Sequence, residues 1–512
     1  MPPLRRTPAH PADIAASLSP ARRAALTVGI MLSTGLQFLD GTIVAVAINH
    51  MQGSLSTTPE QISWVATAYL VTAAMFMPLA GWLSGYIGRR RMMLGGVLAF
   101  AALPALTGSA ASLEQMIPLR IALGLAGAVL VPLSQAAILD IYPREKHGMA
   151  IGLWGIATTL GPAVAPVLGG WLAETYSWRW AFYAIVPFSL VSFLILLPLL
   201  PEGLRQGERR FDMTGFLLMT VSVGALQLMV NRGEREDWFA STEIVVEAAI
   251  AVTGFYMFIV HVAFARQPFL NLALFKDRNY IAGLLFVVLS GPTQFATVLM
   301  MPMMVQTVHA YPVLMAGYIM APRGIGTIVS MAIAGWLTQH VDTRILMVFG
   351  FVMLILSNTA VALFGPAVGF EDIVAASFGQ GIGMGFTMVP LSLIAYSTLS
   401  PALRPEGTAL FNLVRGLSGA MSVALIVAIL TRTAQMTRST LVEHVSPVRE
   451  LLYGAEFPEL WTIGTMPGIA SLDREIAHQA MMVAFQNSFL IMVFVPAVGV
   501  VLTLLIGRQR PQ

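Results

Sequence analysis

The chain has 512 residues, 56% hydrophobic and only 11% charged, with a net charge of +3. Soluble domains carry about 25% charged residues, so the composition excludes an ordinary soluble protein and points to a polytopic membrane protein. With no cysteine, disulfides, thiolate catalysis and cysteine-ligated metals are excluded as well.

The first residues, "MPPLRRTPAHPADIAASLSPARR" (1–23), form a polar, basic tail. The apolar run behind it is too long for the core of a cleaved signal, so it reads as a retained first span. Apolar segments punctuated by Gly, Pro and charge then predict an all-α bundle of fourteen spans. These are 24–48, 62–86, 92–110, 115–141, 148–173, 180–200, 213–231, 243–265, 279–305, 313–339, 345–364, 372–399, 407–432 and 485–507. With the N-terminus inside, nineteen of the 29 Lys and Arg fall in inside segments and seven outside. The positive-inside rule therefore puts both termini in the cytoplasm.

Two stretches recur along the chain. "GWLSGYIGRRRMML" (81–94) returns as "GWLTQHVDTRILMV" (335–348), and "VPLSQAAILDIYP" (131–143) as "VPLSLIAYSTLSP" (389–401). Both copies fall on spans of the same orientation, which predicts a parallel repeat with the substrate path between its halves. The division is a tail (1–23), a first six-helix half (24–201), an inserted two-helix hairpin with linkers (202–278) and a second six-helix half (279–512). The second half carries a long outer loop at 433–484.

Chemistry is sparse within the spans. Asp40, in "LQFLDGTIVAVAI", is the one acidic residue predicted deep in a span, where an ionised Asp costs about 2.5–3.5 kcal/mol on insertion scales. Arg120, in "IPLRIALGLAGAVL", is expected at the same depth, about 8–12 Å below the outer face at 1.5 Å per residue. The two are expected to face each other or share a cavity. Either Asp40 carries a proton or the pair is a fixed lock between helices. Asp140 and Glu247 are expected to reach the interface instead. The repeat maps Asp40 onto Gln294, which cannot titrate; it either lines the path or bonds a neighbouring helix. Arg323 and Arg415 are two further embedded cations, so anionic amphiphiles are expected among the ligands unless backbone carbonyls or lipid satisfy them. Gln37, Gln294, Arg323, Gln380, Asn412 and Arg415 are the expected lining of the substrate cavity. Thirty Met and 27 Phe suit a soft, polarizable path as well as a lipid-facing surface.

Taken in order, "GxLxxxxGRRRxxx" after the second span, "LDGTIVAVAI", "GALQLMVNRGEREDWF", "NLALFKDRNY" and "FNLVRGLSGAMSVA" resemble one family. It is the major facilitator superfamily, and within it the fourteen-helix EmrB/QacA drug–proton antiporters, nearer the EmrB side. The resemblance extends over nearly the whole chain. It implies proton-coupled efflux of hydrophobic or amphiphilic compounds across the cytoplasmic (inner) membrane. It further implies a periplasmic membrane-fusion adaptor and an outer-membrane channel as partners, with the 433–484 loop a docking candidate.

The resemblance also assigns Asp40 and Arg120 to proton coupling, and "GPAVAPVLGGW" to the antiporter motif of the fifth span. There Gly161, Pro162, Pro166, Gly169 and Gly170 permit kinking and close helix approach. In the loop after the second span, Gly81 and Gly88 are expected to make the turn, and Arg89 and Arg90 to face lipid phosphate or helix ends. Gly85 stands where an acidic residue is usual, which removes the basis for a charge latch at that position.

The chain has no Walker lysine loop, HExxH pair or GxSxG elbow, and its eight His do not cluster. No enzyme activity, metal, nucleic-acid partner or cofactor is expected, and the energy source would be the proton-motive force. A proton-coupled importer, or a narrow exporter of fatty acids or other organic anions, is the alternative on the same fold.

Overall fold

The computed structural model describes residues 17–201, 211–365, 368–445 and 465–505, whose regular structure is entirely helical. α1 (Pro20–Ser54) starts where the Ser19 hydroxyl accepts from Arg22 N at 3.4 Å, with Pro20 in the first turn. α2 (Pro59–Phe76) opens on a capping box in which the side chains of Thr58 and Gln61 accept each other's backbone N–H. α3 (Leu79–Leu83) follows Pro78 and runs into a π turn, Ser84–Gly88. α4 (Arg89–Ser109), α5 (Leu113–Ile141), α6 (His147–Thr175), the short α7 (Trp178–Tyr183) and α8 (Ile185–Leu199) complete the first half.

Next come the inserted helices α9 (Met213–Arg232) and α10 (Thr242–Phe264). The second half opens with α11 (Arg278–Gly291), a π turn at Pro292–Ala296, and α12 (Thr297–Thr307). It continues through α13 (Val313–Leu337), α14 (Thr343–Ala362), α15 (Phe370–Ser397), α16 (Arg404–Glu443) and α17 (Met466–Leu505).

Among the described residues, thirteen stretches are long and apolar enough to cross a membrane. The predicted span 62–86 is not one of them, because it is broken. α2 ends at Phe76 and helix resumes only at Leu79, since Pro78 has no N–H to continue the ladder. Leu79–Ser109 qualifies as a single stretch, divided by Gly88 at φ 99°. That left-handed backbone is open to glycine and strained for other residues. Gly88 alone therefore makes the expected turn. Gly81 lies within α3, where an added Cβ would meet Glu406 Cγ at 2.6 Å.

The segment expected as a loop at 433–484 is also different. α16 and α17 are each 40 residues long, about 60 Å, twice the bilayer core. They run past the predicted span limits, and their extensions are tied by an ion pair, Arg438–Asp473, at 2.7 Å. Residues 446–464, the middle of that expected loop, lie outside the described residues.

The inserted pair is held at its base by Asp212, which caps α9 at Gly215 N (2.9 Å) and accepts from Phe269 N (3.0 Å). The same carboxylate bonds His261 Nε2 of α10 at 2.8 Å. Burial works against its charge, yet these hydrogen bonds hold the carboxyl below the ordinary carboxylate range. α9 leans on the first half through Thr220 Oγ1 and Met75 O (3.4 Å). α10 leaves Val252, Tyr256 and Phe264 exposed, as a lipid-facing helix would.

One buried cluster fills the first half, from Leu26 to Leu200, and another the far end of the second half around Met300, Phe485 and Phe489. A third joins the halves, packing Leu139 and Ile151 of the first with Met331 and Tyr396 of the second.

Candidate functional site

Asp40 and Arg120 meet. Both are fully buried, and Arg120 Nη1 donates to Asp40 Oδ1 (3.0 Å) and Oδ2 (2.8 Å). Arg120 Nε donates to Val65 O of α2 at 3.0 Å, and the guanidinium lies 4.5 Å from the centre of the Tyr69 ring. Tyr69 in turn donates to Gln37 O at 3.4 Å. Four elements thus build the pocket: α1 supplies the acid, α5 the cation, α2 the tyrosine, and α7 a second ring, Phe182, 6.0 Å from the guanidinium. Such a pair is neutral overall, so its burial is tolerable; removing either partner strands a charge.

The motif glycines of α6 serve this pocket. A Cβ at Gly161 would stand 2.7 Å from both Gly35 O and Leu39 N, and one at Gly169 would stand 2.6 Å from Ile43 Cγ1. α6 therefore lies backbone to backbone on the turn of α1 that carries Asp40. Pro162 and Gly170 are half-buried in α6, while the Pro166 side chain lies outside the described residues. The other side of α6 packs on the second half. A Cβ at Gly152 would lie 2.6 Å from Met331 O, and one at Gly335 would lie 2.9 Å from Gly148 O.

A second charge cluster sits at the end of the bundle where α1 begins, here called the Arg89 end. Asp140 is buried there, not at the interface as expected, because two arginines close on it. Its Oδ1 accepts from Arg404 Nη1 of α16 at 2.7 Å, and its Oδ2 accepts from Arg89 Nη1. Arg89 therefore points inward to Asp140 instead of to lipid, whereas Arg90 bonds a helix end as expected, at Leu197 O (2.7 Å). Gly85 borders a water-sized cavity beside this cluster, with Ser84, Arg89 and Asp140. A buried ion-pair cluster thus forms without an acid at 85, its carboxylate supplied from α5. Above it, Thr408 Oγ1 donates to Pro132 O (3.0 Å), and Asn412 Nδ2 (2.6 Å) and Tyr396 Oη (3.3 Å) both donate to Gln135 Oε1. These hydrogen bonds join the halves.

The six residues expected to line one cavity fall in separate places. Gln37 packs beside Gly127 in the Asp40 pocket. Gln294 sits in the π turn, its Nε2 bonded to Ser290 of its own helix (2.9 Å) and not to a neighbour. Arg323 is sealed within the second half, donating to Gln294 O (3.2 Å) and Thr297 Oγ1 (2.8 Å), with Nε and Nη1 unpartnered among the described residues. Gln380 bonds Asn358 at 3.0 Å. Asn412 belongs to the seal between the halves, and Arg415 lies half-buried 5.9 Å from the Trp154 ring centre. Tyr69, Gln135, Trp154 and Arg404 escape the sequence reading. The last is hidden as one more basic residue in an inside loop, though the Pro405 that follows marks a helix start.

The family model "Major Facilitator Superfamily" matches residues 30–423. The chain is 30% identical to the multidrug export protein EmrB of Escherichia coli K12 over 476 residues, covering 92% of this chain and 93% of the relative. It is 29% identical to the fatty acid resistance protein FarB of Neisseria gonorrhoeae, over 85% of this chain and 86% of that one. In fold it is similar to the crystal structure of the human organic anion transporter MFSD10 (TETRAN), with a TM-score of 0.58 and 14% identity over 94% of this chain and all of the other. A helical bundle of this span number, matched by the family model over most of its length, makes the chain a member of the major facilitator superfamily.

Proposed function

We propose that the protein is a proton-coupled multidrug efflux transporter working by alternating access, with both termini cytoplasmic and α2 and α3 together making a fourteenth, kinked crossing. The EmrB-type relatives support multidrug export. The observation that carries proton coupling is the fully buried Asp40–Arg120 pair, the place in the spans where adding a proton changes the most. Protonation of Asp40 cancels the carboxylate and frees Arg120 to turn to another acceptor. The turn of α1 bearing Asp40 is clamped by Gly161 of α6, and α6 in turn packs on α13 across the halves. A change at the pair is therefore passed to the interface that must rock. The Asp140 latch and the Gln135 seal lie at the Arg89 end, so this conformation reads as closed to the cytoplasm.

The test uses proteoliposomes with an imposed pH gradient and a panel of amphiphilic drugs. Asp40→Asn should cut gradient-driven transport by at least about tenfold, as expected for loss of a unique coupling group, while gradient-free counterflow survives. Undiminished coupled transport in that variant would sink the reading. A narrower reading, export of fatty acids or other organic anions, is favoured by the embedded, half-buried Arg415, which has no ion pair among the described residues, and by the likeness to FarB.

A further inference from the structure

Among the embedded cations, Arg120 is neutralised by Asp40 and Arg323 is sealed against its own half. Arg415 differs from both. It sits 11 residues into α16, about 16 Å from the Arg89 end, and is only half-buried. No ion pair or hydrogen bond engages its guanidinium among the described residues. It rests at 5.9 Å from the ring centre of Trp154, which belongs to the opposite half. The space beside it is open: Gly416 is exposed, and a Cβ there would meet nothing within 4 Å. One turn below, the Asn412–Gln135–Tyr396 bonds form a closed floor.

The platform is fixed in place. Trp154 Nε1 donates to Ser134 Oγ at 3.0 Å, and that hydroxyl accepts from Thr34 Oγ1 of α1 at 2.8 Å. The ring under Arg415 is thus tied to the helix that carries Asp40. A membrane-depth cation with a rigid aromatic partner, open space and no counter-charge is a receptor for an anion.

We propose that Arg415 receives the anionic head group of an amphiphilic substrate, a carboxylate or similar monoanion, at the floor between the halves. This rests on the efflux reading and names a substrate class for it. Because Arg415 and the ring it rests on come from different halves, the binding of an anion at Arg415 senses how the halves are disposed.

The test compares equilibrium binding of radiolabelled dodecanoate with that of uncharged dodecanol, using the full-length protein in nanodiscs. Wild type should prefer the anion by about tenfold or more, the scale of a charge-assisted contact away from water. Arg415→Gln should abolish the preference, and Arg415→Lys should keep most of it; the lysine variant and a monodisperse elution profile guard against misfolding. An anion preference that survives in Arg415→Gln, or is missing in wild type, overturns the proposal. The efflux reading fails separately, if wild type moves no amphiphile under a pH gradient; the binding ratio decides this site in either case.

Discussion

Asp40 and Arg120 have no exposed surface, so neither charge can be removed alone without leaving the other unpaired in the membrane. Arg120→Gln is expected to destabilise the purified protein by about 3–5 kcal/mol, and the double variant Asp40→Asn/Arg120→Gln by clearly less. Thermal unfolding in detergent reads both; a double-variant loss equal to the sum of the Asp40→Asn and Arg120→Gln losses would mean that the two side chains act independently. Asp40 stands out in the sequence because a lone acid in an apolar run is costly, and Arg120 because its predicted depth matches. Tyr69 does not stand out, since a tyrosine in a span looks like any other apolar filler until a guanidinium is found against its ring. Asp140 misleads for the opposite reason. A carboxylate near a span end normally reaches water, and here Arg89 and Arg404, the latter 264 positions away in the chain, keep it inside.

At the scale of elements, the glycines of α6 decide how close α1 can come. Gly161→Ala places a methyl 2.7 Å from two backbone atoms that cannot rotate aside. It should lower stability by about 1–3 kcal/mol, the usual penalty for overpacking, and slow transport with it. Gly95→Ala, which would meet nothing within 4 Å, is the matched comparison and should leave the unfolding temperature near wild type. An unchanged unfolding temperature in Gly161→Ala would mean that α1 and α6 are not pressed together. The sequence motif announces small residues at these positions; which helix they admit is not written in it. The broken second span and the π turn at Gln294 were likewise invisible as hydropathy, although Pro78 and Pro292 mark both places.

For the whole molecule, the contacts between the halves gather toward one end. Asp140 draws Arg89 from its own half and Arg404 from the other onto a single carboxylate. Asp140→Asn should loosen that end and shift the population toward its open form. The cysteine-free chain makes this measurable with spin labels at Arg144→Cys and His340→Cys, two exposed positions in different halves at the Arg89 end. Longer interspin distances are expected in the Asn variant, and an unchanged distribution would show that the latch carries no conformational bias.

The sequence by itself determined that the chain is a helical membrane protein with an internal repeat, a lone deep acid and a family resemblance. Those properties follow from composition and local periodicity, which the bilayer enforces segment by segment because every backbone group must be satisfied within its own helix. Tertiary structure alone decided which helix faces which. It brought Arg120 to Asp40, turned Arg89 inward to Asp140, dispersed the six expected cavity residues and placed Arg415 on Trp154 across the halves. These are contacts between residues up to hundreds of positions apart, set by packing of small residues and pairing of buried charges, and no local pattern encodes them.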